Sequence, residues 1–266
     1  MILHCYTSTY NDLYMLKYYV RHWSQYAAKI FVYDDDSTDG TREFLESHSP
    51  LVQIMSTGFS GIDELKLQEM RIREYKIHSR GVADWCVIGD SDEFHYHPTM
   101  IEKLRVLKEC GYAAVVSHGY QMFSDTRPNG EGQMMEYCKN GILDGMYDRV
   151  IFRPEIDIVI GIGHHGFTID ETNFREFQTA GQNVHTSPEG QRIKYPVMET
   201  DEDFKMLHYK YLGLDHITER HDRIWSRSSQ LNKDRGWGIH TSPDWHAYYS
   251  LDWFKQKIGD AKPCLD

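Results

Sequence analysis

Four short β-type runs, each ending in a polar turn, alternate with helix-type segments over the first hundred residues. Ile2 to Tyr6 is an apolar run followed by Thr7-Ser8-Thr9-Tyr10-Asn11, with Asn11 placed to cap a helix. Leu13, Leu16, Val20, Trp23 and Ala27 then recur at steps of three and four, one apolar helix face. Lys29 to Tyr33 reads as a second strand, Thr41 to Ser47 as a helix and Val52 to Met55 as a third strand. A long charged helix without Pro or Gly covers about 62 to 80, and Asp84 to Ile88 is a fourth strand. Such alternation predicts an α/β fold with a mostly parallel sheet flanked by helices. Ligands of open α/β sheets bind beyond the carboxyl ends of the strands. Polar clusters stand at three of those ends, Thr7–Asn11, Asp34–Thr41 and Asp90–Glu93.

Farther on, Ile101, Leu104 and Leu107 mark a helix and Tyr112 to Ser117 a strand. Residues 124–145 read as a loop, Arg149 to Arg153 and Asp157 to Ile162 as short strands, and 170–200 as irregular chain wrapping the site. Phe204 to Leu212 reads as a strand, Asp215 to Ser229 as an amphipathic helix and Trp245 to Ile258 as an aromatic helix. With no internal repeat or low-complexity linker, residues 1–266 are expected to form one unit.

Composition narrows the function. The 266 residues carry 29 Lys plus Arg against 40 Asp plus Glu, a net charge of −11, which disfavours a protein that coats nucleic acid. No run approaches the ~20 apolar residues of a membrane helix, and the N-terminus does not read as a signal peptide. Five Cys with no CxxC spacing suggest reduced thiols and a cytoplasmic setting.

Asp90-Ser91-Asp92, directly after the apolar Trp85-Cys86-Val87-Ile88, carries the sharpest chemical signal. Two carboxylates two residues apart at a strand end suit a hard divalent cation that completes its shell with phosphate and water. A bare DxD is weak, since Asp34/Asp36 and Asp201/Asp203 repeat it, and position distinguishes this one. The run Asp34–Thr41 packs four carboxylates into six positions. One of them can accept the ring N–H of a nucleobase while Asp39 caps the following helix.

Tyr33-Asp34-Asp35-Asp36-Ser37-Thr38-Asp39-Gly40-Thr41 resembles the DDxSTDGT segment of family 2-like glycosyltransferases of the GT-A fold. Trp85 to Phe94 resembles the segment of the same superfamily that ends in DxDEF, and that ending with a later His-Tyr is similar to its glycosyltransferase 92-like branch. Thr9-Tyr10-Asn11-Asp12 is similar to its TYNE opening, with Asp for Glu. The resemblance covers roughly residues 1–120, implied to be the nucleotide-sugar half; 121–266 would be the acceptor-side half, matching through Arg149–Pro154, His164–Phe167 and His208-Tyr209.

The resemblance implies a GT-A glycosyltransferase that moves a sugar from a nucleotide-diphosphate donor to a hydroxyl of a glycan or other acceptor, inverting by single displacement. It implies Mn²⁺ or Mg²⁺ as cofactor, with Asp92, Asp90 and His208 as ligands. Thr7, Thr9, Asp35, Asp90, Ser91 and His165 would bind the nucleotide sugar, Asp35 through the base. Family members use the Asp of an ED motif as base; none is evident here. Gly166 to Glu171 is similar to a GGFDE stretch, which nominates Asp170 and then Glu171, with Asp203 as an outside candidate. Adjacent His164 and His165 on a strand would point to opposite faces. Lys66, Arg71, Arg73, Lys76 and Arg80 read mainly as a solvated face that could help hold a diphosphate, Arg220, Arg223, Arg227 and Lys233 form a second basic stretch, and Trp225 and Trp237 read as packing residues that could also stack on sugar rings. The alternatives are a sugar-nucleotide nucleotidyltransferase, disfavoured because Thr7 to Asp12 has neither Gly nor Arg, and a catalytically degenerate glycan-binding protein.

Overall fold

The computed structural model describes residues 1–164, 166–169, 183–186, 192–195, 197–198 and 203–265. Strand and helix alternate as the pattern requires: β1 (Leu3–Thr9), α1 (Leu13–Trp23), β2 (Lys29–Asp34), α2 (Thr41–Glu46), β3 (Val52–Ser56), α3 (Glu64–His78) and β4 (Trp85–Ile88). Next come β5 (Glu93–Tyr96), α4 (Met100–Glu109), β6 (Ala114–Ser124), α5 (Met134–Tyr137), β7 (Asn140–Leu143), β8 (Arg149–Phe152) and β9 (Ile158–Ile160). Four short strands follow, β10 (Phe167–Ile169), β11 (Asn183–Thr186), β12 (Arg192–Tyr195) and β13 (Val197–Met198). The chain ends with β14 (Lys205–Leu212), α6 (Leu214–Arg227), α7 (Gln230–Asp234), α8 (Leu251–Asp260) and β15 (Lys262–Pro263).

The main sheet runs β15-β7-β6-β8-β4-β1-β2-β3. Strands β3, β2, β1 and β4 are mutually parallel, β8 is inserted antiparallel between β4 and β6, and β14 runs parallel to β6 while pairing antiparallel with β5. The expected mostly parallel α/β sheet is therefore present, and the tips of β1, β2 and β4 open on one edge.

Burial explains the strands. Along β2, Ile30 and Val32 enter one core cluster while Phe31 and Tyr33 enter the other. On β4, Trp85 and Val87 alternate in the same way with Cys86 and Ile88. Both faces are buried, so these strands are near-continuous apolar runs. Helix α1 covers the first face through Met15, Leu16, Tyr19, Val20 and Trp23. Helix α3 covers the second with Leu67, Met70 and Tyr75, but the same stripe also buries Arg71 and Glu74, which masks its apolar periodicity.

Four expectations are corrected. Asp12, not Asn11, occupies the cap position of α1, without a capping bond from its side chain; Asn11 sits at a left-handed φ of 46° and its side-chain oxygen accepts the Thr38 N–H at 2.6 Å, bracing the acidic loop. The 124–145 segment is not all loop, because α5 and β7 form there and β7 pairs with an extended β6. The last helix starts at Leu251, after two short turns, where Ser250 accepts the Trp253 N–H. Gly40, not Asp39, holds the cap position of α2; Asp39, one residue before it, accepts the N–H groups of Thr41 and Leu13 and so ties two helix starts together.

His22, buried in α1, stacks on Phe94 with 5.1 Å between ring centres and reaches the His95 carbonyl oxygen at 2.8 Å through Nε2. Burial lowers its pKa to about 4 despite that carbonyl. The unfolded imidazole takes up a proton near 6.5 while the folded one stays neutral. Its contribution is therefore complete above ~6.5 and falls by up to about 3 kcal/mol as pH drops toward 4. Urea midpoints measured between pH 7 and 5 should fall in the native protein and fall less steeply in His22→Phe.

Candidate functional site

The site begins where β1, β2 and β4 stop. Their ends place Thr9, Asp12, Asp35, Asp90 and Ser91 on one cleft of about 180 Å³, closed on its other sides by α3 and α6. The chain turns of β1 and β4 are tied together: Ser91 Oγ donates to Asp12 Oδ2 at 2.9 Å. Gly61 holds the β3 side. Its φ of +83° excludes ordinary side chains, a Cβ there would meet the Arg227 carbonyl oxygen at 2.8 Å, and its N–H donates to Asp35 Oδ2 at 2.8 Å.

Each carboxylate meets a guanidinium. Arg71 of α3 donates to Asp90 Oδ1 at 3.0 Å. From α6, Arg223 donates to Asp12 Oδ1 at 3.0 Å, Arg220 lies 2.7 Å from Asp92 Oδ2, and Arg227 donates to Asp35 Oδ2 while covering the Tyr10 ring at 3.5 Å. The cleft lining carries four carboxylates and four guanidinium groups, so the site is close to neutral in a chain of net charge −11.

Asp92 lies behind this wall, 2% exposed. Burial raises its pKa, but Arg220 and then His208 reverse the shift and hold the carboxyl well below the usual range. His208 Nε2 stands 3.4 Å from the same Oδ2. Asp92 Oδ1 and His208 Nδ1 are buried without a hydrogen-bond partner. Buried polar atoms left unpaired are costly, and Asp92 Oδ1 in particular is an acceptor open to a ligand. On the same strand Lys210 is buried, and burial followed by Arg220 lowers its pKa to about 7.

The turn that presents the two aspartates rests on Glu93. This buried carboxylate is held by Arg149 Nε at 3.0 Å and His164 Nδ1 at 3.1 Å, and Oε2 accepts the Asp90 N–H at 3.3 Å. Burial keeps His164 on the neutral side, so Nδ1 donates an ordinary hydrogen bond. Burial opposes ionisation of Glu93, but Arg149 outweighs it and the pKa falls well below the usual value.

The expected residues divide as follows. Thr9, Asp35, Asp90 and Ser91 share the cleft. Thr7 does not line it; it faces a small neighbouring cavity beside Tyr33 and Glu74. Among the described residues no group of three or more His, Cys, Asp and Glu side chains is arranged for a metal. The expected trio Asp90, Asp92 and His208 is not gathered, because Asp90 is drawn to Arg71 while Asp92 faces Arg220 and His208. His165, Asp170 and Glu171 lie outside the described residues. Asp203 is exposed before β14. Arg71, expected on a solvated face, and Arg220, Arg223 and Arg227 of the second basic stretch are the partners of the acidic tips. The three-and-four spacing of 220, 223 and 227 was the available signal.

No protein-family model and no curated protein matches the sequence. Among solved structures, residues 1–349 of S. aureus TarS in complex with UDP-GlcNAc are similar at 13% identity, over 98% of this chain and 80% of that one, with a TM-score of 0.41. Mannosyl-3-phosphoglycerate synthase from Rubrobacter xylanophilus is similar at 12% identity over 58% of this chain and 54% of that one, TM-score 0.37. Glucosyl-3-phosphoglycerate synthase from Mycobacterium tuberculosis, in complex with Mn²⁺, UDP-glucose and phosphoglyceric acid, is similar at 15% identity over 58% and 57%, TM-score 0.36. Likenesses this distant say nothing of this chain's chemistry, which has to come from its own residues. No helix among the described residues is long and apolar enough to cross a membrane.

Removing one member of a buried ion pair leaves an uncompensated charge, at a cost of about 3–5 kcal/mol. Arg149→Met should therefore lower the urea midpoint strongly, and adding Glu93→Gln to it should recover much of the loss.

Proposed function

We propose that the chain is a GT-A-like glycosyltransferase that transfers a sugar from a nucleotide-diphosphate donor to an acceptor hydroxyl, with inversion by single displacement. One observation carries the reading: carboxylates from the tips of three different strands converge on a cleft walled by arginines, with a buried carboxylate oxygen lacking a partner beside it. Residues 1–120 would form the donor half and 121–266 the acceptor half of a single unit.

Asp35 suits recognition of the base. Both its bonds fall on Oδ2, from Gly61 and Arg227, leaving Oδ1 to accept a ring N–H. Thr9 Oγ1, buried without a partner at the end of β1, is a further polar group for the nucleotide. The arginines of α3 and α6 supply positive charge for the diphosphate, and guanidinium forks match phosphate oxygens well.

The donor set also fits a divalent cation. Asp92 Oδ2 and His208 Nε2 are 3.4 Å apart, close to the ~3 Å expected of neighbouring ligands with ~2.1 Å bonds. Carboxylate and imidazole leave the remaining positions to phosphate and water, as Mn²⁺ and Mg²⁺ prefer. Such an ion, when bound, neutralises charge developing on the leaving diphosphate. Asp92 and His208 would hold it, and Asp90, fixed by Arg71, would face the ribose side. The acceptor proton would pass to a carboxylate across the sugar, with Asp170 and then Glu171 as the proposed bases.

The reading is tested by titrating nucleoside diphosphates and their sugars, with and without Mn²⁺, by calorimetry. Binding in the micromolar range is expected, and Asp35→Ala should weaken it about tenfold, the equivalent of 1.4 kcal/mol. Asp92→Ala should lower transfer at least about 100-fold in a product assay, on the scale of losing one electrostatic stabiliser. A protein that binds no nucleoside diphosphate with or without Mn²⁺ would be some other enzyme or binder.

A further inference from the structure

Helix α6 carries Arg220, Arg223 and Arg227 on one face, and each meets an aspartate from a different strand tip. The Arg220 contact differs from the other two. Arg223 and Arg227 pair with carboxylates that line the open cleft, whereas Arg220 reaches the buried Asp92, on the same Oδ2 that His208 Nε2 faces. Its guanidinium thus neutralises the one carboxylate placed to hold a divalent cation. A guanidinium and a divalent cation on one oxygen repel each other, so they are alternatives.

Among the described residues Arg220 has no spare carboxylate beside it. Its other acidic neighbours are Asp12, which already holds Arg223 and Ser91, and Asp90, which already holds Arg71. Arg220 lines the cleft with 15% of its side chain exposed, so an anion that enters beside it offers the partner it needs to leave Asp92. A phosphate oxygen meets that need.

We propose that Arg220 is an exchangeable counter-ion: it neutralises Asp92 in the ligand-free protein and moves to a phosphate oxygen when a nucleoside diphosphate enters, releasing Asp92 and His208 to a divalent cation. The proposal rests on the nucleotide-sugar reading and adds to it an order of events. No covalent bond changes. The Arg220–Asp92 ion pair breaks, an Arg220–phosphate pair forms, and the cation takes the freed carboxylate. Metal and nucleotide then bind with positive coupling, and the coupling is the same read from either side. Because the cation would also bond the diphosphate directly, some coupling is expected whatever Arg220 does, and the part that Arg220 supplies is the part its substitution removes.

The test is the affinity for Mn²⁺, read as the loss of the free-ion electron paramagnetic resonance signal, without and with saturating UDP. In the native protein Mn²⁺ should bind at least about tenfold more tightly with UDP present, within the usual range for coupled sites. UDP titrated with and without Mn²⁺ should show the same factor. In Arg220→Gln, Mn²⁺ without nucleotide should bind several-fold more tightly than in the native protein, UDP should bind more weakly, and the coupling should shrink to what the direct cation–phosphate contact supplies. Arg220→Lys, which keeps the charge, should restore part of it. Should Arg220→Gln not fold, the native coupling still decides: UDP binding indifferent to Mn²⁺ overturns the exchange and leaves the donor reading standing. An Arg220→Gln protein with native metal affinity and native coupling also overturns it. Absence of binding by UDP, ADP and GDP alike, with or without Mn²⁺, overturns the exchange and the donor reading together.

Discussion

Carboxylates at the tips of neighbouring strands repel one another, and guanidinium groups from two helices let them share a cleft here. Two unit charges 4 Å apart interact by about 4 kcal/mol at the effective dielectric of a protein surface, so clustered aspartates need partners. Arg71 of α3 takes Asp90, while Arg220, Arg223 and Arg227 of α6 take Asp92, Asp12 and Asp35. These contacts fix where α6 lies over the sheet edge. They also lower the local negative charge in a chain that is acidic overall, which makes a polyphosphate ligand compatible with it.

Beneath the cleft a second ionic unit serves a different purpose. Glu93, Arg149 and His164 are all nearly inaccessible and hold the turn that follows β4. Arg149 belongs to β8, the antiparallel strand inserted between β4 and β6. The break in parallel order thus brings a cation directly under the Asp90–Asp92 turn. Structural and ligand-facing charges are layered: the lower layer satisfies itself, and the upper layer keeps Asp92 Oδ1 without a partner.

Much of the fold was legible in the sequence because the signals are local. The short apolar runs of β2 and β4, the three-and-four spacing of α1 and the turn chemistry of Asp34–Thr41 each act over a few residues. The same locality explains the errors. Residues 124–145 look like a loop because β7 is stabilised by pairing with β6, a contact that no short window contains. Helix α3 looks solvated because Arg71 and Glu74 lie on its buried stripe. Arg220, Arg223 and Arg227 read only as a basic stretch for a related reason: Arg227 meets Asp35 across 192 positions, and Arg223 meets Asp12 across 211.

The amino-acid sequence by itself determined that acidic turns would close the parallel strands and that helices would cover both faces, because backbone propensity and side-chain alternation are short-range properties. Tertiary structure alone decided which cation each acid meets. It separated Asp90 from Asp92, giving one to α3 and the other to α6 and His208. Ion pairing depends on distance in space, and only the packing of α3, α6 and β14 against the sheet edge sets those distances.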